Sequence, residues 1–414
     1  MPDVRPLTAL RYAVDRTGGN LSPVLAPPYD VLKQADKDTL LTHSPLNVVG
    51  IDLPYLPPKS AGPPEVYKVA ARQLNEWLEN GVLIRDIRPA LYPYHQSFTH
   101  QGSRLTRRMF IARVRLQFFS EGAILPHERT FGGPKEDRLA LLKATRCQLS
   151  PIFGLYADPN EEIGRAFAAT VSRKPDAFGT MQEVENSLWV VSDHPVIDGV
   201  TTYLRTQRLY IADGHHRYGT ALMYRDFLAT QQGGSLPEDH PAHYVMFVLA
   251  SMDDPGCLIL PYHRVLAPIG IERLLSAWRE GVARTVHAEA DLTLMDGKTG
   301  AETPLRFTNR KVLRALEPNE VGPWYDLDYA YLHRYLMDEL LTENTGNRAP
   351  KVHYVKSADE ARAVARDESG VALLTRATSM AQLRAVSEAG GLMPQKSTYF
   401  YPKLATGMAL YPLA

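Results

Sequence analysis

The sequence predicts a mixed α+β fold spread over more than one domain, and three observations predict it. At 414 residues the chain is longer than one core ordinarily serves, so two or three domains are expected. Apolar runs of strand length alternate with amphipathic runs of helix length, the pattern of sheets packed against helices. Most telling is the stretch Arg208 to Tyr218. There an apolar strand ends in an Asp213-Gly214 turn and a helical pattern follows at once.

The elements follow in order. Residues 1–88 form a first unit, with breakers at Ala26–Asp30 and Pro57–Pro64. A helix is expected over Glu65–Asn80, with Val66, Ala70, Leu74, Trp77 and Leu78 on one face and Gly81 as its stop. Two alternating runs around His100–Ser103 predict a β-hairpin over about Ala90 to Phe119. A loop over Leu125–Pro134 then precedes a helix at Lys135–Arg146 and a strand at Ile152–Tyr156. After the Asp-Gly turn, Tyr244–Ser251 and Cys257–Val265 read as a hairpin turning at Asp253–Gly256. The second unit thus covers 89–266. The third, 267–414, ends in strand–helix–strand–helix order: Val352–Val355, Ala358–Arg366, Val371–Thr375 and Met380–Ala389.

Composition narrows the function classes. Lys plus Arg and Asp plus Glu both total 46, so the chain lacks the strongly basic footprint of a nucleic-acid binder. The cysteines, Cys147 and Cys257, show no metal-ligand spacing, and a reduced, cytoplasmic setting is the expectation. The N-terminus shows no hydrophobic signal region, and no segment reaches bilayer-spanning length, so no membrane partner is expected.

Three segments carry candidate chemistry. In the turn, Gly214 lets backbone approach a ligand, and His215, His216 and Arg217 add donors and positive charge at a helix N-terminus whose dipole is already positive. Pro126-His127-Glu128 sets a carboxylate in an irregular segment; alone, a loop glutamate is ordinarily a solvated side chain. Lys396-Ser397-Thr398 offers a cation and two hydroxyls at a turn that is, alone, an ordinary surface feature. Together they suit phosphoryl transfer, which needs donors around phosphates and a carboxylate to take the proton of an attacking hydroxyl. Asp213 is the candidate Mg²⁺ ligand, with helix capping as the competing role. No Walker lysine loop or kinase Gly-rich loop is present, so a nucleotide site here is of another kind.

These motifs give the resemblance. Asp213 to Tyr218 is similar to the nucleotide-binding turn of the ParB/sulfiredoxin-like superfamily, and within it to the free serine kinases. Those kinases carry Pro-His-Glu, then Asp-Gly-His-His-Arg and an aromatic, then Pro-x-Lys before Ser/Thr-Thr. Here the same order appears as Pro126 to Glu128, Asp213 to Tyr218 and Pro394 to Thr398. The whole chain also resembles a widespread bacterial family sometimes labelled partition-protein-like, marked by Ala26–Val31, the Asp213 turn and Met393–Lys403.

The resemblance implies a ParB/sulfiredoxin-like nucleotide-binding core and a small-molecule kinase acting on a hydroxyl, with free L-serine as the model acceptor and ADP or ATP as donor, with Mg²⁺. It implies catalytic Glu128 with His127, nucleotide contacts from Asp213 to Arg217, and substrate contacts from Lys396, Ser397 and Thr398. Residues 1–88 have no counterpart in those kinases. His215 stands where sulfiredoxin has its reactive cysteine, and no DNA-reading helix-turn-helix follows the turn, so sulfinic-acid repair and sequence-specific DNA binding are not expected. Two other readings stay open: a nucleotide-binding switch, which has no need of a base at Glu128, and a metal-dependent hydrolase built on His127, Glu128, Asp213, His215 and His216.

Overall fold

The computed structural model describes residues 1–413 other than 59, 130–132, 278–282, 287–288, 310 and 342–349. It has the mixed α+β class expected. Internal contacts divide the chain into two compact units. Unit 1 is Met1–Pro126, Thr130–Cys257 and Pro402–Ala414; unit 2 is His127–Arg129 and Leu258–Tyr401.

A nine-stranded sheet organises unit 1. Its strands are β1 (Val4–Arg5), β2 (Tyr92–His100), β3 (Ser103–Arg115), β4 (Ile124–Leu125), β5 (Ile152–Tyr156), β6 (Ala177–Met181), β7 (Val184–Leu188), β8 (Leu209–Asp213) and β9 (Tyr244–Ser251). They lie in the order β4-β8-β5-β9-β3-β2-β7-β6, with β1 paired to β3. The β2–β3 hairpin is the one expected, with His100 opposite Ser103. The helices of this unit include α1 (Pro64–Glu79), α2 (Gly133–Thr145), α3 (Glu162–Val171), α4 (His194–Leu204) and α5 (His215–Gln231). α1 ends where Gly81 takes a left-handed φ of 69°, as a C-terminal glycine stop requires. One apolar core joins Phe110, Ile152 and Phe247 of the sheet to Ile163 and Phe167 of α3, Val200 and Leu204 of α4, and Tyr218 and Ala221 of α5.

Unit 2 holds a six-stranded antiparallel sheet of β10 (His263–Ala267), β11 (Ala283–Thr285), β12 (Leu292–Asp296), β13 (Glu302–Phe307), β14 (Lys351–Val355) and β15 (Val371–Thr375). Their order is β11-β13-β12-β15-β10-β14. The helix α6 (Ala358–Asp367) packs Ala361 and Ala365 against Val265, Met295 and Ala372. A further helix, α7 (Met380–Glu388), starts at Ser379, whose hydroxyl caps the amide of Gln382.

Three expectations differ from this arrangement. Residues 1–88 do not stand apart from the following sheet: Val4 and Arg5 pair with Val114 and Arg113 of β3. The two compact units pass into one another along the chain at Cys257–Leu258, and Pro402–Ala414 belongs to unit 1. The hairpin of Tyr244–Ser251 with Cys257–Val265 is not formed. β9 runs antiparallel to β3 and parallel to β5, Leu258–Leu260 pairs with Tyr399–Tyr401, and β10 lies between β14 and β15. All but the last residue of β9 are buried. A strand that apolar throughout is stable only with strands on both edges and cover on both faces. The expected loop over Leu125–Pro134 is shorter, since Ile124–Leu125 pairs with β8 and α2 begins at Gly133; residues 130–132 lie outside the described residues. Among the described residues no helix is long and apolar enough to cross a membrane.

Candidate functional site

The Asp213 turn is built as the sequence pattern requires. β8 runs antiparallel to β5 with a register shift between Ile211 and Asp213, and an irregularity of this kind re-aims the side chain that ends a strand. Gly214 follows with φ 97° as the N-terminal residue of α5. A β-carbon there would lie 3.1 Å from the Arg217 guanidinium carbon. Glycine therefore serves both the backbone turn and the close packing of Arg217 over it.

Asp213 sits between two cations. Lys403 donates to one carboxylate oxygen at 2.7 Å, and Arg217 approaches the other at 3.4 Å. Burial alone would raise the Asp213 pKa, but Lys403 and Arg217, with His215 behind them, outweigh it and hold the carboxyl well below its usual range. Arg217 is only 13% exposed; its guanidinium also donates to the Pro151 carbonyl. Its buried Nε has no acceptor among the described residues.

Lys403 is held by its backbone. Arg107, fully buried, donates to the Pro402 carbonyl at 2.6 Å, and Gln96 donates to the Lys403 carbonyl at 3.1 Å.

Behind the turn, Arg217 shares a cavity of about 50 Å³ with Tyr29, Asp52 and Arg138. Arg138 stacks over the Tyr29 ring at 4.0 Å, donates to the Asp52 carbonyl at 2.6 Å and pairs with Asp137 at 2.6 Å. Burial pushes Asp52 up, while Arg138 and a hydrogen bond from Ser150 hold it partway back. Tyr29 belongs to the Ala26–Val31 segment, so a motif from the first 88 residues supports the turn.

The remaining candidates lie in unit 2. Residues His127–Arg129 join it through a bridge from Glu128 to Met393, with the Met393 amide donating to the His127 carbonyl at 2.7 Å. The His127 ring is 1% exposed and its Nε2 lies 2.9 Å from the Thr398 hydroxyl. Glu128 is half-buried, and no hydrogen bond or ion pair engages its carboxylate among the described residues. Lys396 is exposed, takes a left-handed φ of 56°, and holds its ammonium over the Tyr262 ring at 5.6 Å. Ser397 is fully buried; its hydroxyl donates to the Pro394 carbonyl and its carbonyl accepts from Thr378. Arg264 donates to the carbonyls of Gln395 and Lys396.

The structure thus brings Asp213, Gly214, His215, His216 and Arg217 together in unit 1, and His127, Glu128, Lys396, Ser397 and Thr398 together in unit 2. Sequence reasoning missed Lys403, Arg107, Arg138 and Asp52. Lys403 closes the Met393–Lys403 segment and could have been found there; Arg107 sits among the strand arginines Arg104, Arg108, Arg113 and Arg115, which read equally well as a solvated face, and Arg138 and Asp52 carry no local pattern. Each oxygen of Asp213 faces a cation, so a Mg²⁺ ion held there would have to displace Lys403 or Arg217. No group of three metal-ligating side chains occurs among the described residues.

The signature of a family described as a protein of unknown function, DUF1015, matches residues 4–330. The chain belongs to the DUF1015 family. No curated protein matches it. Among solved structures this DUF1015 chain is similar to a free serine kinase mutant in complex with AMP, at TM-score 0.35 and 10% identity over 67% of this chain and 84% of that one. It is also similar to a conserved hypothetical protein from Pyrococcus furiosus, at 0.33 and 13% over 68% and 89%. SbnI with a C-terminal truncation from Staphylococcus aureus gives 0.37 and 15% over 73% and 87%. Scores of this size do not establish a shared fold.

Proposed function

We propose that this DUF1015 protein is a nucleotide-dependent phosphotransferase that phosphorylates the hydroxyl of a small molecule, with free L-serine as the model acceptor and ADP or ATP as donor. The observation that carries the reading is the charge at the Asp213 turn. Lys403 and Arg217 both face the single carboxylate of Asp213, which places two cations at the N-terminus of α5. The helix dipole adds to them there. Such a terminus favours phosphate. The resemblance of Asp213 to Tyr218 to the serine-kinase turn supports the same assignment.

Glu128 supplies the second requirement. A hydroxyl is a poor nucleophile at neutral pH, and a carboxylate that accepts its proton typically contributes about 10²–10⁴ in rate. Glu128 is half-buried and unengaged, while His127 and Met393 fix the backbone around it. We assign it the base, and assign His127 to holding that segment against Thr398. Lys396 suits the carboxylate of an amino-acid acceptor.

The test is Glu128→Gln, nearly isosteric and unable to take the proton. Turnover with serine and ADP or ATP should fall by about 10²-fold or more, while nucleotide affinity by calorimetry stays near wild type. Wild-type turnover in the variant removes the kinase reading. Intact nucleotide binding with no turnover in either protein would favour the switch.

A further inference from the structure

Unit 1 contains a second cavity, of about 410 Å³, at the end of β5 away from Asp213. Asp213 pairs with Phe153 near the start of β5, whereas the cavity is lined by Tyr156 at its end and by Ser251 at the end of the parallel β9. Its volume lies within the range of small-molecule sites, about 300–1,000 Å³.

Three features of the lining define a ligand. The floor is apolar and aromatic: Phe110 packs against Tyr156 with ring centroids 6.1 Å apart and against Phe167 of α3 at 5.5 Å. The rim is acidic, with Asp158, Glu161, Asp253 and Asp254 set against one guanidinium, Arg108, which pairs with Asp254 at 3.4 Å. Asp158, Asp253 and Asp254 are held in place by backbone amides. Asp158 accepts the amides of Glu162 and Ile163 at 2.8 and 3.1 Å, and Asp253 accepts the amide of Asp158 at 2.9 Å.

The third feature is His95. Its ring lies edge-on to Trp189 with centroids 4.9 Å apart. Burial, aided by Arg108, pushes its pKa down to about 4. It therefore lines the cavity as a neutral imidazole, and no hydrogen bond to its ring nitrogens occurs among the described residues. It adds no positive charge and offers one donor and one acceptor.

We propose that this cavity binds a small organic cation, a protonated primary amine on an aromatic or aliphatic body. The body meets the floor of Phe110, Tyr156 and Phe167, where the ring faces also favour a cation. The ammonium meets the carboxylate rim, and His95 offers a neutral partner. An anion of the same shape meets the exposed carboxylates of Glu161 and Asp253 and is disfavoured. The assignment does not depend on the phosphotransferase reading, because none of these residues belongs to the Asp213 turn or to the Glu128 segment.

The experiment is calorimetric titration of the full chain with 2-phenylethylammonium and, in parallel, 3-phenylpropionate. Saturable binding of the ammonium and at least about tenfold weaker binding of the carboxylate are expected. Gly164 of α3 lines the cavity, and a β-carbon placed there meets only the Glu161 β-carbon, at 3.7 Å. Gly164→Leu should fill the space and weaken the ammonium about tenfold or more, while removing an unfavourable helix glycine. The exposed Asp253→Asn should weaken it several-fold with the fold unchanged, which keeps the test decisive if the leucine variant folds poorly. No saturable binding of the ammonium, equal binding of the two probes, or affinity unmoved in both variants would each overturn the proposal.

Discussion

The Asp213–Lys403 pair joins residues far apart in sequence, and its energetics follow from partial burial. A hydrogen bond to a charged partner is worth about 1.5–3 kcal/mol, and Lys403→Met should destabilise the protein by about that much. Lys403→Arg should recover part of it. Acid dependence supplies the sign. The folded pKa of Asp213 is depressed, so its contribution is full above the unfolded value of about 3.9 and is lost as pH falls through the folded value. In Lys403→Met the balance moves toward burial, the folded pKa rises, and this acid-driven loss shrinks. Urea unfolding at pH 7 and at about pH 3 measures it; an unchanged acid slope in the variant would show that Lys403 is not what depresses Asp213. Gly214→Ala belongs to the same scale. A left-handed φ costs an L-residue about 1–2 kcal/mol, and the added carbon presses on Arg217, so both stability and nucleotide affinity should fall.

At the scale of elements, the segment Met393–Thr398 is the piece whose placement decides most. In unit 2 it is held through its backbone by Arg264, a fully buried cation paired with no carboxylate among the described residues. Arg264 also lies over the rings of Tyr329 and Tyr354, at 4.7 and 5.2 Å, and burial lowers its pKa. Its bonds to the Gln395 and Lys396 carbonyls explain how Lys396 keeps a left-handed φ. Arg264→Met removes the charged donor from those carbonyls, and a hydrogen bond to a charged group is worth about 1.5–3 kcal/mol. Hydrogen exchange at the Met393 amide, which bonds the His127 carbonyl, should quicken in the variant. Protection equal to wild type would mean that Arg264 is not the residue that holds this segment. The second-half hairpin failed at this same scale. Tyr244–Ser251 and Cys257–Val265 are adjacent in sequence, but adjacency carries no information about which strand edges are already taken.

For the molecule as a whole, a ligand that binds only the folded state raises stability by RT ln(1 + [L]/Kd), about 2.7 kcal/mol at a hundredfold excess over Kd. ADP or ATP should therefore raise the melting temperature of the wild type and raise that of Lys403→Met less. No shift with either nucleotide would count against the Asp213 turn as a phosphate site. The local elements were legible in the sequence because their causes are local. Ile152–Tyr156 and Val371–Thr375 are strands with the bounds their apolar runs imply, and Gly214 ends β8 and opens α5 as its freedom at positive φ allows. The three candidate segments were legible for the same reason, since each is a contiguous run of reactive residue types. Pairing at long range was not. That Val4 and Arg5 join the main sheet, that Lys403 neutralises Asp213 across 190 positions, and that Tyr29 and Arg138 back Arg217 depend on which surfaces meet once the cores form. Periodicity and turn chemistry specify how a segment folds, but only the packed tertiary structure selects the partner of each buried charge.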